Sequence, residues 1–497
     1  MGTWDPMGGR RLSTGRKFVS DVFVRTVFQV FNALRGLVFL PLIVRLYGTE
    51  GYSIWSQVIL TIALLSPLMT LRLGAGLVRY MGRLETRQER ADTFFTTAAL
   101  VWVLSVAVLA TTVLAKESLA FVMFDDRQLT SFAALFGLLL IMKSNFAFAS
   151  SYYRAISALK TQTAILASEI VLEIATIYGL SLLRSSRLEE VLLAVAIIDA
   201  LMIGGILVDI VRRDGLPRKL QGKNLSRLLR FSLPLIPAGI MYWVVNSSDR
   251  YVIVHLVGLN DAGIYSAAYR LAQILKLVLQ PIAFVLLPVV TLLWEQGKHA
   301  QVRSYFARSV KWFLILGIPA AAGLVSLGPE ILAILGTSEF VVSRGLVALL
   351  VVGELFVGLY QIYVYVIYLF EKTWIQPVLF SVLALLNLGL NLLLVPHIGI
   401  LGAAITTFGA YLLQGLFVIA YTSRLLPFDI DWKTVGKAVL GGICVFFGTR
   451  YLPGRGIGHL VIAIAVGVAI YAAVIVGSRA ASVRDIRELL KTDGESQ

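Results

Sequence analysis

The sequence has few charged residues and little that could form a covalent cross-link or a metal site. Asp, Glu, Lys and Arg together make up 15% of its 497 residues, too few to cover the surface of a soluble protein of this length. It has one cysteine, Cys444, which excludes an intramolecular disulfide framework. The histidines His255, His299, His397 and His459 are isolated along the chain. We therefore expect neither a metal site nor a cofactor.

Acidic residues are scarcer than basic ones. The chain has 29 Asp and Glu against 44 Lys and Arg, a formal net charge of +15. In a soluble protein this excess would suggest a nucleic-acid partner. Here the basic residues flank apolar segments and are not interleaved with aromatic residues, so the positive-inside bias of membrane proteins explains them better. We expect no nucleic-acid partner.

Apolar residues dominate the sequence, at 58% of the chain and a mean hydropathy of +0.82. A bilayer can solvate helices that are apolar all round, and a span needs about 20 such residues. The pattern predicts an all-α polytopic membrane protein with about fourteen transmembrane helices. The predicted spans are residues 20–44, 52–78, 93–115, 129–150, 161–183, 189–211, 231–257, 263–293, 312–335, 341–369, 375–395, 399–423, 435–452 and 458–478.

Lys and Arg are several times more frequent in alternate connecting segments, beginning with the amino terminus. The positive-inside rule therefore predicts that both termini lie in the cytoplasm. The most basic segment, residues 212–230, follows the sixth predicted helix and contains two glycines and a proline. We interpret it as a cytoplasmic linker between two halves of the chain.

Two hairpins share a sequence pattern. Residues 40–58 read LPLIVRLYGTEGYSIWSQV, and residues 252–273 read VIVHLVGLNDAGIYSAAYRLAQ. Each has a helix end, a glycine (Gly48 or Gly258), an acidic residue, a second glycine and then Tyr-Ser. The match relates helix one to helix seven, which enter the membrane in the same direction. Such a parallel repeat is typical of transporters whose substrate path lies between two rocking lobes.

Three stretches, residues 40–58, 229–272 and 385–413, resemble the oligosaccharide-lipid flippases of bacterial surface-polysaccharide pathways. Their superfamily also holds the multidrug and toxic-compound extrusion transporters and the lipid II flippase. In the third stretch Asn387 and Asn391 lie one helical turn apart, and Pro396 is followed by Gly399 and Gly402. The resemblance implies two six-helix lobes around a central cavity, plus two extra helices at the carboxyl terminus.

The resemblance and the linker together predict four segments. These are an amino-terminal lobe of residues 1–211, the linker 212–230, a carboxyl-terminal lobe of residues 231–423, and the two extra helices with a cytoplasmic tail in residues 424–497. The resemblance also implies a function. The protein would flip an undecaprenyl-diphosphate-linked oligosaccharide across the inner or plasma membrane for surface or exopolysaccharide synthesis. Membrane lipid, a polysaccharide polymerase and export proteins are the partners implied.

Ionisable side chains within the predicted spans indicate where a substrate would bind. Each costs roughly 2.5–3.5 kcal/mol at membrane depth, so such residues usually face a water-filled cavity. Arginine can bind phosphate oxygens through two parallel hydrogen bonds. The expected substrate-binding residues are Arg35, Arg72, Asp249, Arg250, Arg270 and Lys276. The alternative is that some of these cations extend to the membrane surface and that Asp249 and Arg250 form a structural pair.

Two carboxylates lie one turn apart on the fifth predicted helix. Glu169 and Glu173 could share a proton or bind a cation and so couple transport to an ion gradient. Equally, they could balance the charge of arginines.

Three other functions are compatible with parts of the sequence. A lipid II flippase and a multidrug or cation exporter would share the fold, although an exporter of cations should have an acidic or aromatic cavity. A membrane-embedded glycan polymerase or acyltransferase is less favoured. The sequence has no nucleophile elbow and no His-Asp arrangement, and we therefore expect no catalytic residues.

Overall fold

A computed structural model describes residues 15–182, 187–336, 340–454 and 456–478. The expected cytoplasmic ends, residues 1–14 and 479–497, lie outside the described residues. Within the described ranges all regular structure is helical. The α-helices are α1 (Gly15–Met69), α2 (Leu73–Tyr80), α3 (Arg87–Leu114), α4 (Lys116–Phe124), α5 (Thr130–Ala155), α6 (Leu159–Ser181), α7 (Leu188–Asp214), α8 (Gly222–Ser232), α9 (Leu235–Leu256), α10 (Leu259–Ala272), α11 (Lys276–Glu295), α12 (His299–Leu335), α13 (Arg344–Leu369), α14 (Ile375–Ile398), α15 (Ile400–Leu425), α16 (Trp432–Arg450) and α17 (Gly456–Gly477).

The helices confirm the predicted all-α membrane architecture. Twelve spans within the described residues are long and apolar enough to cross a membrane. The predicted number was about fourteen, and two spans account for the difference. Helix α1 counts as one of the twelve, from Val38 to Met69, although it contains parts of the first two predicted spans. The twelve do not include α16, in which Lys433 and Lys437 lower the mean hydropathy of a 19-residue helix.

The helical path from residue 15 to residue 80 has two irregular points, one inside α1 and one between α1 and α2. Gly48 has φ 70° and ψ −173°, which is not helical. Glycine adopts this conformation without the steric penalty of a Cβ, so α1 consists of two segments that meet at Gly48. Gly258, its counterpart in the second hairpin, also has a positive φ of 144°. The prediction of one continuous helix over residues 52–78 was wrong. Leu71 and Arg72 have positive φ values of 48° and 52°, which break the helix between α1 and α2.

The predicted linker contains a helix of its own. Helix α7 continues to Asp214, and α8 occupies much of the remainder of residues 212–230. The linker is held against α3, because the amide of Arg218 donates to Asp92 at 2.7 Å and Asn224 donates to Thr93 at 2.8 Å. Arg90 binds Asp214 at 2.7 Å in the same region. The connection between the two halves is therefore fixed to the first half.

The helices pack in two groups. In the first, α5 contacts α1, α2, α3, α6 and α7. In the second, α13 packs on α12 and α15, and α14 packs on α9 and α15. Helices α16 and α17 pack on each other and along α12, outside the second group. We call the two groups the amino-terminal and carboxyl-terminal bundles. They meet where α1 contacts α9, α10 and α11.

Candidate functional site

The seam between the bundles runs along the second segment of α1. Near the Gly48 turn, a Cβ added to Gly263 of α10 would lie 1.9 Å from the Oγ of Ser53, so the two helices touch there because position 263 has no side chain. Further along, the Trp243 indole donates to the carbonyl of Leu60 at 3.0 Å. We call the end of the molecule that contains Gly48 and Gly258 the Gly48 end.

Two predicted arginines lie on this seam. Arg72 lies against α9, where a Cβ added to Gly239 would be 2.4 Å from its Nη2. Arg270 extends from α10 towards the first segment of α1, and a Cβ added to Gly36 would lie 3.5 Å from its Cδ. Each arginine thus reaches across to a glycine of the opposite bundle. A side chain at position 239 would force Arg72 to move, whereas position 36 would accept a Cβ at ordinary contact distance.

Arg270 has few polar partners of its own. It is exposed to solvent, and its hydrogen bond among the described residues runs to Gln273 at 3.4 Å. No described carboxylate lies within ion-pair distance of it. It is within electrostatic range of Arg35 and Arg250, so cations from both bundles converge at this point. A guanidinium in this position can bind an anion without first breaking an ion pair.

The amino-terminal bundle contains a buried cluster of ionisable groups. Lys143 of α5 lies 2.5 Å from Glu169 and 3.2 Å from Asp199, and it also contacts Glu173. Arg35 of α1 contacts the other oxygen of Glu173. Three carboxylates therefore share two cations. Because the cluster carries a formal charge of −1 inside the bundle, it depends on both cations to remain ionised.

The carboxylates of this cluster are close enough to one another to hold a cation. The ligand atoms of Glu169, Glu173 and Asp199 all lie within 4.8 Å of one another, and all three residues are buried. In this structure the Lys143 ammonium is placed among them. The Lys143 ammonium therefore stands where a metal cation would bind, and the carboxylates gain a free position when a cationic side chain withdraws.

Asp249 and Arg250 form a buried pair in the carboxyl-terminal bundle. Arg250 Nη1 lies 2.7 Å from Asp249 Oδ1. The other carboxylate oxygen accepts from Tyr265 at 2.7 Å and from Thr407 at 3.0 Å. The guanidinium also lies over the ring of Tyr269, 3.9 Å from its centroid. Asp249 is 0% and Arg250 4% exposed, so a ligand would have to displace existing partners to reach either one.

Lys276 pairs with a carboxylate that the sequence analysis did not select. Its Nζ lies 3.5 Å from Glu354 Oε1, and its side chain remains 24% exposed. Neither oxygen of Glu354 has a hydrogen-bond partner in the part of the chain described. Lys276 is therefore the main neutralising group for a buried acid, and part of its side chain remains exposed.

The predicted substrate-binding residues fall into three groups. Arg270 and Arg72 lie on the seam. Arg35 and Lys276 lie beside it with one carboxylate partner each. Asp249 and Arg250 are enclosed among tyrosines.

The two carboxylates predicted for ion coupling, Glu169 and Glu173, are close together. Both contact Lys143, which the sequence analysis missed. A single lysine in the apolar span 129–150 was the signal that could have found it.

Comparison with known proteins agrees with this architecture. The model of the polysaccharide biosynthesis protein family matches residues 18–294. A relative from Haloferax volcanii described as the probable low-salt glycan biosynthesis flippase Agl15 is 24% identical over 255 residues, 50% of this chain and 54% of the relative. The probable flippase AglR of the same organism is 28% identical over 186 residues, 36% of this chain and 37% of the relative. The chain thus matches about half or less of these relatives' lengths.

Two solved structures have the same fold. The inward closed conformation of the lipid II flippase MurJ superposes with a TM-score of 0.71 at 15% identity, covering 96% of this chain and 100% of MurJ. An inward-facing MATE-family multidrug resistance transporter gives a TM-score of 0.67 at 12% identity, covering 80% and 94%. The similar proteins are named as flippases and transporters, in agreement with the prediction that the chain is not an enzyme.

Over half of the chain matches one family model, residues 18–294. The matched region contains the amino-terminal bundle, the linker and α9 to α11. It therefore includes Arg35, Arg72, the Lys143 cluster, the Asp249–Arg250 pair and Arg270. The apolar spans make the protein a multi-pass membrane protein. The chain belongs to the polysaccharide biosynthesis protein family.

Proposed function

We propose that this protein flips an undecaprenyl-diphosphate-linked oligosaccharide from the inner to the outer leaflet of the cell membrane by alternating access. The family match and the names of its relatives support a lipid-linked glycan as cargo. The observation that carries the proposal is Arg270, a seam cation without a described acidic partner, close to Arg35 of the opposite bundle. A diphosphate head group requires such converging positive charge.

The head group enters between the bundles while the lipid tail stays in the bilayer. Arg270 binds phosphate first because it has no ion pair to break. The phosphate then competes with Glu173 for Arg35. Binding thus draws both bundles towards one ligand, and rocking about the seam carries the head group to the Gly48 end, which the positive-inside rule places outside.

The same competition provides a route to ion coupling. When Arg35 turns to phosphate, the cluster of Glu169, Glu173 and Asp199 keeps only Lys143 and its formal charge becomes −2. A buried site with that charge favours uptake of a proton or a cation. Glu173 is the group that takes up the ion, and Glu169 holds Lys143 in place. Ion release then returns Arg35 to Glu173 and resets the transporter.

Flipping of a fluorescent lipid-diphosphate-linked oligosaccharide in proteoliposomes tests the proposal. Arg270→Ala should lower the initial rate at least about tenfold, because loss of one charge-assisted bidentate contact removes roughly 1.5–3 kcal/mol. Arg303→Ala is the matched control, since Arg303 is exposed on α12 away from the seam. Normal flipping by Arg270→Ala, with the protein correctly inserted, would contradict the proposed role.

A lipid II flippase is the second candidate, favoured by the near-complete structural match to MurJ. The same proteoliposomes can be loaded with lipid II, whose diphosphate is identical but whose glycan carries a peptide. Faster flipping of lipid II than of a peptide-free oligosaccharide lipid would favour this candidate. Export of drugs or cations is disfavoured by Arg72 and Arg270 on the seam, which would repel a cationic cargo.

A further inference from the structure

A cavity away from the seam has no role in the proposed flipping cycle. It has a volume of about 430 Å³ and lies between α12, α13, α16 and α17. Its lining includes Glu330, Arg344, Arg450 and His459. The topology places it at the Gly48 end, because α12 ends, α13 begins, α16 ends and α17 begins there. It lies where the last two helices pack against the carboxyl-terminal bundle.

Two arginines in this cavity have no ion-pair partner among the residues that the structure describes. Arg344 and Arg450 lie close enough to repel each other. Among the described residues neither has a carboxylate within ion-pair distance, and the buried Nε of Arg344 has no hydrogen-bond partner. Arg344 also opens α13, directly after its N-cap Ser343, where unpaired amide groups favour negative charge. Like charges in a partly enclosed space are stable when an anion lies between them.

The acid in the cavity lining is already paired. The Glu330 carboxylate lies 2.8 Å from His459 Nδ1, and His459 Nε2 lies 3.2 Å from the carbonyl of Leu452. These contacts fix the imidazole and hold the Glu330 carboxylate of α12 against α17. The described lining therefore offers two guanidinium groups beside an acid whose carboxylate is hydrogen-bonded to His459.

The location makes this convergence unusual. The positive-inside rule explains arginines at the opposite end of the molecule, but the Gly48 end is poor in Lys and Arg. Helix ends at that end of the membrane lie at the level of the outer-leaflet head groups. The ligand that lies at this depth and carries an anion is a lipid with a phosphate in its head group.

We infer that this cavity binds the phosphate of a lipid head group in the outer leaflet, with Arg344 and Arg450 as its ligands. The volume accommodates a phosphate diester together with a small polar substituent. The inference does not depend on the proposed cargo, since a resident phospholipid and the delivered head group present the same phosphate chemistry. A bound lipid would hold α16 and α17 against α12 and α13 at this end.

Lipid binding to the purified full-length protein can be measured by native mass spectrometry with phosphatidylglycerol as the probe. Arg344→Gln combined with Arg450→Gln should weaken binding at least about tenfold, from the loss of two charge-assisted contacts. The control combines Arg303→Gln with Arg308→Gln, two exposed arginines at the other end of α12, and should bind as the wild type does. Glu330→Gln should strengthen binding, because it removes a negative charge from the lining.

Further binding measurements distinguish the possible sources of the phosphate. Competition by undecaprenyl-diphosphate-linked oligosaccharide would identify the delivered head group as a ligand, and its absence would identify a resident phospholipid. Binding of inorganic phosphate without phosphatidylglycerol binding would overturn the assignment to a lipid. Wild-type affinity for phosphatidylglycerol in the double variant would overturn the site itself. If the double variant does not fold, the two single variants carry the same test.

Discussion

At the scale of single residues, the charged groups inside the bundles form sets whose charges nearly cancel, and Arg270 stands outside them. Glu173 has both Lys143 and Arg35, and Glu354 has Lys276. A paired charge costs less to bury than a single one. An anionic ligand can therefore pair with Arg270 directly, whereas it can pair with the other cations only if they give up their present carboxylate partners.

Lys143 should be essential for the stability of the amino-terminal bundle. Lys143→Met would leave Glu169, Glu173 and Asp199 with Arg35 as their remaining partner, and breaking a buried pair costs about 3–5 kcal/mol. We expect a lower midpoint of thermal unfolding in detergent. The double variant Lys143→Met with Glu169→Gln restores the formal charge of −1 and should recover much of the loss. Equal stability of the two variants would argue against charge balance as the cause.

The sequence could predict the helices of these residues but not their partners. The cost of charge in a membrane selected Arg35, Arg270 and Glu173 from the sequence, and the structure places them on or beside the seam and in the buried cluster. It gave no means to pair Arg35 with a residue 138 positions away. Asp249 was selected for substrate contact, yet its partners Tyr265 and Thr407 come from two other helices. Partner choice depends on tertiary packing, which a single sequence does not contain.

At the scale of helices, hydropathy located the spans and missed the irregular points. The turn at Gly48 was predicted from glycine beside an acidic residue, and its φ of 70° agrees. The break at Leu71 and Arg72 has no glycine and no such signal. Helix α8 lies within a segment that we predicted to be a linker. It is short and has apolar residues on one face and polar residues on the other, so no long apolar run marks it in the sequence.

Helix α16 begins with a side-chain cap at Asp431. Asp431 accepts from the amide of Thr434 at 3.1 Å and from its hydroxyl at 2.6 Å. Asp431→Ala should destabilise the helix by about 1 kcal/mol, and Asp431→Asn should retain most of the cap. Hydrogen–deuterium exchange of the first turn of α16 measures the difference. Unchanged exchange in Asp431→Ala would show that packing on α12 alone holds this end.

The cap should also depend on pH. Hydrogen bonds from the Thr434 hydroxyl and amide hold the pKa of Asp431 below its ordinary value. A lowered pKa in the folded state stabilises the protein above the pKa of the unfolded chain, and this contribution is lost as the pH falls through the folded-state pKa. Exchange protection in the wild type should therefore decrease towards that of Asp431→Ala in acid. The Asp431→Asn variant does not titrate there and serves as the control.

At the scale of the whole molecule, the two bundles are in contact at the Gly48 end. Position 263 has no side chain, and this allows α10 to reach Ser53. The alternating access that we propose requires this contact to open when the head group leaves. The contact is therefore a place where a covalent link would stop the cycle without changing Arg270 or the Lys143 cluster.

A disulfide across this contact should block flipping reversibly. Cys444→Ala first removes the one cysteine of the chain. A Cβ at position 263 would lie 3.1 Å from the Cβ of Ser53, near the roughly 3.5–4.5 Å of a disulfide. Ser53→Cys with Gly263→Cys should cross-link under oxidation, stop flipping in proteoliposomes, and regain activity on reduction. Each single cysteine variant controls for the substitution itself. Because the link leaves the charged groups intact, unchanged flipping by a fully cross-linked protein would mean that the head group leaves without opening this end.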